Sequence, residues 1–204
     1  MLIKSPPKKL FLATGNQGKI NEFKTLFEDL PVNLQLKPKS FEIEESGNTF
    51  AQNARIKAIE VARKIGHWAI ADDSGLCVNA LNGAPGVLSA RYGSNDSERI
   101  SRLLNELDRI DDRSAYFSCA ICLASEDGTV LLEVEGVSEG RIVKVPRGSH
   151  GFGYDPVFEV VEIGLTFAEI SKEKKSKFGH RGQAFKLFKP AFNKLLLDQN
   201  APKI

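Results

Sequence analysis

The sequence has no apolar run near the roughly 18 residues that a membrane-crossing helix needs, so a membrane role is not expected. Its first stretch, MLIKSPPKKLFLATG, lacks the apolar centre and cleavage site of a secretion signal. Cysteine is scarce, with 3 in 204 residues, and an odd number points to a reducing compartment, the cytoplasm. Cys119 and Cys122 form a CxxC inside AYFSCAICLAS, a run with strand character. Residues three apart on a strand face opposite ways, so the two thiols cannot share a metal, and no second CxxC completes a zinc site. The pair reads as strand core. A strong charge of either sign is also missing: the net charge is +2, which gives no basis for a nucleic-acid partner. No internal repeat or low-complexity stretch stands out.

What is present suits one domain spanning 1–204 with two lobes. A chain of this size buries roughly 70% of its extended surface and needs no staple. Residues 9–13 (KLFLA) read as a strand. Residues 18–30 place Ile20, Phe23, Phe27 and Leu30 on one helical face. Thr49 and Gln52 form a capping box before a second helix with Phe50, Ala54, Ala58, Val61 and Ile65 inward and Gly66 as its C-cap. WAIAD is the next strand, Asp72 to Gly75 read as a turn, and 76–81 continue extended. NGAPG (82–86) is a turn-rich loop, and a third helix runs over 96–107 behind the N-cap Asn95. Strands then dominate: 114–125 and 129–137 flank the hairpin signal Asp127-Gly128, and RIVKV (141–145) is a further strand. A last helix over 179–197 carries Pro190, which should kink it or remove one hydrogen bond. The expected fold is α/β: an elongated mixed sheet with helices forming two lobes around a cleft.

Four stretches carry chemistry. ATGNQGK (13–19) joins a strand to a helix through two glycines and ends in Lys19, a pattern that suits an anion at a helix N-terminus. It is not a Walker loop, because only two residues separate the glycines and Ile20 follows the lysine. Glu44 and Glu45 precede the second helix and, with Asp72 and Asp73, could surround a hard cation; Mg²⁺ prefers a few carboxylates plus water and phosphates. A cation would offset the repulsion between the adjacent aspartates, as would a proton or backbone N–H bonds. Lys57 could point into the same cleft, although such lysines are more often solvated. FGYDP (152–156) offers Phe152 for stacking on a base. KEKKSKFGHR (172–181) reads as the far wall of a triphosphate site, or otherwise as a solvated basic helix.

LATGNQGKINEF, EESGNTFAQNARIKA, ADDSGLCVNALNGAPGVLSARY, GFGYDP and KSKFGHRGQA, in this order over residues 10–188, resemble the non-standard purine nucleoside triphosphate pyrophosphatases, also called inosine triphosphatases. The resemblance implies hydrolysis of ITP, dITP or XTP to the monophosphate and pyrophosphate by a cytosolic, Mg²⁺-dependent homodimer. It implies that Thr14, Gly15, Asn16, Gln17, Gly18 and Lys19 contact the triphosphate. Glu44 and Asp73 would hold Mg²⁺, and Asp73 would also be the base on the attacking water, with Asp72 left to orient the loop or an outer water. Ser74, Phe152, Gly153, Tyr154, Asp155 and Lys175 would bind substrate, and His180 with Arg181 would read the purine's oxo edge. Gly179 departs from the family pattern, which has serine before the His-Arg pair. Competing readings are a related pyrophosphatase for modified pyrimidine nucleotides, a non-hydrolysing nucleotide sensor and an RNA-binding module. The carboxylates favour hydrolysis, since a pure binder needs no group to activate water. Only Phe178 interleaves with the basic run, which argues against RNA.

Overall fold

A computed structural model describes residues 8–199. Strand and helix alternate at first: β1 (Lys8–Leu12), α1 (Gln17–Phe27), β2 (Val32–Leu36), α2 (Phe50–Ile65) and β3 (Trp68–Val78). Then come α3 (Asp96–Glu106), β4 (Ser114–Ala124), β5 (Val130–Ile142), β6 (Phe158–Val160), β7 (Leu165–Thr166), α4 (Lys172–Phe178) and α5 (His180–Gln199). Caps explain the starts. The Asn16 side chain accepts from the Lys19 amide at 3.1 Å, and Asn95 accepts from the Glu98 amide at 2.9 Å. Thr49 accepts from the Gln52 amide at 3.2 Å, while the Gln52 side chain reaches back to the amide of Asn48, one residue beyond the expected partner. Gly66 ends α2 in the left-handed conformation, at φ 68°.

The seven strands form one mixed sheet in the order β2-β1-β3-β4-β5-β6-β7. β1 pairs in parallel with β2 and β3, and every later pair is antiparallel. The expected mixed α/β architecture is what the chain adopts. Successive strand residues face opposite ways, and β3 uses this to serve three cores. Trp68 and Ile70 meet Phe23, Phe27, Phe188 and Phe192 of α1 and α5. Leu76 and Val78, on the same face, meet Leu103, Phe117, Phe158 and Phe167. Ala69 and Ala71, on the other face, pack with Ala54, Ala58 and Val61 of α2.

Three expectations are corrected. Asp72 to Gly75 are not a turn: β3 runs straight through them, paired residue by residue with β4 from Ile121 to Ser118. Residues 79–81 do not continue the strand but form a short 3₁₀ turn. RIVKV is not a separate strand, because β5 runs unbroken to Ile142 along β4. Cys119 and Cys122 do lie in different cores on opposite faces of β4, both unpaired. α5 continues past Pro190, lacking the amide that proline cannot donate.

The longest helix touches the sheet at Gly136 of β5, where a Cβ would come within 2.0 Å of the Ala184 backbone nitrogen on α5. Gly136→Ala must therefore push α5 off the sheet. Overpacking of this kind costs about 1–3 kcal/mol. In a chain of this length that lowers Tm by about 2–12 °C, and a thermal melt checks it.

Candidate active site

A cavity of about 760 Å³ opens beside β3 at Asp73, Ser74 and Gly75, within the size range of small-molecule sites. One wall is the β1–α1 connection, Ala13 to Lys19. Another is the loop before β6, Phe152 to Asp155, with Lys175 of α4 and His180 of α5. Lys37, Lys39, Arg91 and Arg99 add positive charge to the lining. The expected triphosphate contacts, Thr14, Gly15, Asn16, Gln17, Gly18 and Lys19, thus share one space with Asp73, Ser74, Phe152, Gly153, Tyr154, Asp155, Lys175 and His180. Glu44 and Arg181 are not in that lining: Glu44 is exposed in the coil before α2, and Arg181 is buried behind the wall.

The two adjacent aspartates part company because a strand alternates its side chains. Asp73 faces α2. Asn53 donates to its Oδ2 at 3.1 Å and Lys57 donates to its Oδ1 at 3.2 Å. Lys57 also reaches Glu45 at 2.5 Å, so one ammonium stands between two carboxylates that line the cavity. Burial alone would lower the pKa of Lys57; Asp73, Asp72 and Glu45 together raise it. Lys57 is therefore not the solvated lysine its type usually is. Among the described residues no three acidic, histidine or cysteine side chains are arranged to hold a metal. Two carboxylates with room for water and phosphate suit Mg²⁺, which seldom takes an all-protein cage.

Asp72 faces α1 and α5, wholly buried. Arg181 donates to its Oδ2 from Nε at 3.1 Å and from Nη2 at 2.6 Å, and Lys19 stands at 3.1 Å. Burial would raise the Asp72 pKa, but Arg181, then Lys19 and Lys57, hold it far below the usual carboxylate range. Arg181 further donates to Ser74 at 3.0 Å and to Glu22 of α1. Glu22 also meets Lys175 at 2.8 Å, and Lys175 meets Asp155 at 2.5 Å. The result is a chain of alternating charge from Lys19 through Asp72, Arg181, Glu22 and Lys175 to Asp155, which ties the β1–α1 connection to the aromatic loop.

At the aromatic end, His180 stacks on Phe117 with ring centroids 4.6 Å apart. Burial and then the charge of Arg181 push its pKa well below 6.5, so the ring is neutral near pH 7. Its Nδ1 is buried without a hydrogen-bond partner among the described residues. The Phe152 ring lies against the β1–α1 connection: a Cβ on Gly18 would meet that ring at 2.3 Å. Gly18 thus provides the seat for an aromatic ring as well as open backbone. Lys175 sits 4.7 Å from the Phe152 centroid. Gly179 joins α4 to α5; its amide donates to the Lys175 carbonyl at 2.8 Å and its own carbonyl accepts from the Gln183 amide at 2.9 Å. A Cβ there would stand 2.6 Å from the Lys175 carbonyl oxygen, so this junction is shaped for glycine.

Glu22 escaped the sequence reading. Its signal was a carboxylate three residues after Lys19, flanking the apolar face that contains Phe23. Ser89 and Arg91 of the cavity lining lie within the quoted stretch 71–92 but were not singled out, and nothing in the sequence marked Asp96 and Arg99 of the third helix.

The charge chain makes an acid-sensitive fold. Burial would raise the pKa of Glu22, yet Arg181 and Lys175 hold it at about 2 against the usual 4.5. A depressed folded-state value contributes stability above pH 4.5 that is lost as pH falls toward 2. Melts from pH 7 to pH 2 should show Tm falling most steeply below pH 4.5. Glu22→Gln should start from a lower Tm at pH 7 and fall less steeply.

Comparison with known proteins follows this geometry. The sequence matches the Ham1 family over residues 10–191. It is 58% identical over 193 residues to a protein of Prochlorococcus marinus (strain MIT 9313) named dITP/XTP pyrophosphatase, covering 95% of each chain. A Nostoc sp. (strain PCC 7120 / SAG 25.82 / UTEX 2576) protein of the same name is 52% identical, with 93% of this chain and 96% of that one covered. The solved Ham1 protein of Coxiella burnetii is 41% identical and superposes with a TM-score of 0.83, covering 92% of this chain and 99% of that one. With a family match over nearly its whole length, strong identity and the same fold, this chain belongs to the Ham1 family.

Proposed function

We propose that the chain hydrolyses the non-standard purine nucleoside triphosphates dITP, ITP and XTP to the monophosphate and pyrophosphate. The relatives named dITP/XTP pyrophosphatase at 58% and 52% identity support the substrate class. The observation that carries the reading is the set of groups that one cavity brings together. A helix start bearing Lys19, the ion-paired carboxylate of Asp73, and aromatic rings with a neutral imidazole all line it. Those three kinds of group suit a triphosphate, a scissile bond and a base.

In this reading Thr14 to Lys19 hold the triphosphate at the start of α1, where backbone amides and the helix dipole favour anions. Asp73 takes the proton of the attacking water, with Asn53 and Lys57 fixing its two oxygens. The water oxygen bonds to the α-phosphorus, the bond to the bridging oxygen breaks, and pyrophosphate leaves. Phe152 and Tyr154 frame base and sugar. His180, which lines the cavity, contacts the base. Arg181 makes four hydrogen bonds, to Asp72, Glu22 and Ser74, so its part in base reading passes through Ser74, which it holds in the wall. Asp73 and the Glu44–Glu45 pair would supply carboxylate oxygens to Mg²⁺, with Glu45 the nearer to the cavity. When bound, the ion would neutralise triphosphate charge and polarise a phosphoryl oxygen. A cytoplasmic homodimer without nucleic-acid or membrane partners completes the reading. The three cysteines, all free thiols, fit that compartment.

Pyrophosphate release from a panel of dITP, ITP, XTP, GTP, ATP and dUTP tests the substrate class. The purified chain should favour the first three and lose activity in excess EDTA. Preference for dUTP, or undiminished turnover with the metal chelated, would overturn the substrate or the cofactor assignment respectively. Asp73→Asn should retain the melting transition and lower kcat by about 10²–10⁴-fold or more, as expected for removal of a general base. Steady-state kinetics with ITP checks this, and a kcat close to that of the parent chain excludes Asp73 as the base.

A further inference from the structure

The aromatic loop is held from four sides. Its Asp155 pairs with Lys175, the Phe152 amide donates to Asp155 at 2.9 Å, and the Tyr154 hydroxyl donates to the Ser89 carbonyl at 3.0 Å. The fourth tie comes from α3. The Gly153 amide donates to Asp96 Oδ2 at 2.7 Å, while the other oxygen of Asp96 pairs with Arg99 at 2.6 Å. Asp96 is not needed as a cap, since Asn95 already fills that role with Glu98. Its side chain is half exposed, so it is not there for packing. What it does is fasten the loop to a helix of the second core, and both Asp96 and Gly153 line the cavity.

We propose that Asp96 is a positioning residue that sets the base end of the site: by holding the Gly153 amide it keeps the Phe152 ring seated over Gly18. Phe152 immediately precedes the tethered amide, and its ring has a fixed seat only while the loop stays down. A charge-assisted hydrogen bond to a backbone N–H is stronger than a neutral one, and Arg99 keeps the carboxylate aimed at it. Releasing the tether leaves the phosphate wall intact and loosens only the aromatic wall. The effect therefore falls on ligands that carry a base and spares those that do not. This specificity claim rests on reading the cavity as a nucleotide site; the tether itself does not.

The test uses Asp96→Ala and Asp96→Asn in the full chain. Asparagine keeps an oxygen that can accept from the Gly153 amide but loses the charge. Hydrogen–deuterium exchange of the peptide spanning 149–156 reads the tether without any activity. In the alanine variant exchange should speed up by about five-fold, the worth of one partly exposed hydrogen bond, and asparagine should restore most of the protection. The KM for ITP should rise by about five-fold in the alanine variant with kcat little changed, while the inhibition constant of inorganic tripolyphosphate stays within about two-fold of the parent. Unchanged exchange in Asp96→Ala overturns the tether. Equal weakening of ITP and tripolyphosphate, or an asparagine variant as impaired as alanine, reduces Asp96 to a general charge on α3. If exchange responds but no nucleotide is hydrolysed, the tether stands and the pyrophosphatase reading fails.

Discussion

The ion pair between Asp72 and Arg181 is the constraint around which the site is arranged. Asp72 is wholly inaccessible and Arg181 is 2% exposed. A buried carboxylate without a partner is too costly to keep ionised, so the arginine must be present whenever the fold is. The two residues lie 109 positions apart. Their meeting fixes α5 against β3, and with Glu22 it also fixes the start of α1. Three walls of the cavity therefore share one electrostatic joint. Such a pair adds little net stability compared with apolar packing, but losing one partner is severe, about 3–5 kcal/mol for pairs of this kind.

The joint also explains why two aspartates can sit side by side. Strand geometry sends Asp72 to the α1–α5 face and Asp73 to the α2 face. Each then meets its own cation, Arg181 with Lys19 on one side and Lys57 on the other. The repulsion expected between them is answered within the protein itself, before any ligand is considered. Asp72 is spent on structure, while Asp73, held by two donors, faces the cavity. One strand thus sends two neighbouring carboxylates to opposite faces, one wholly buried and one facing the cavity.

The glycines in this region work by allowing close approach. Gly75 of β3 lets the Gly86 carbonyl come within 2.4 Å of where its Cβ would stand, and the Ser89 hydroxyl donates to that carbonyl while accepting the Leu76 amide at 2.9 Å. This brings the 86–91 segment against the sheet, so that Arg91 and Tyr154 border the same cavity. Gly18 and Gly179 act alike for the Phe152 ring and the Lys175 carbonyl. Removing side-chain bulk at these points lets the neighbouring segments approach closely.

Much of this was open to a reader of the sequence. The helix faces of Ile20, Phe23 and Phe27, the caps Thr49, Gly66 and Asn95, and the hairpin at Asp127-Gly128 follow from local periodicity and turn chemistry, which act over a few residues. The motif stretches likewise pointed to the residues that now line one cavity. Other features were hidden because they depend on distant partners. ADDSG looks like a turn, and only pairing with β4 holds it extended. Lys57 looks solvated until Glu45 and Asp73 are brought to it. Arg181 looks free until Asp72, Glu22 and Ser74 are brought to it. Sequence determined the local elements and the kinds of chemistry available, because propensity and side-chain type belong to each residue. Tertiary structure alone decided which carboxylate is buried, which cation answers it and which groups remain free to face the cavity, because burial and charge pairing are properties of neighbours that the chain order does not list.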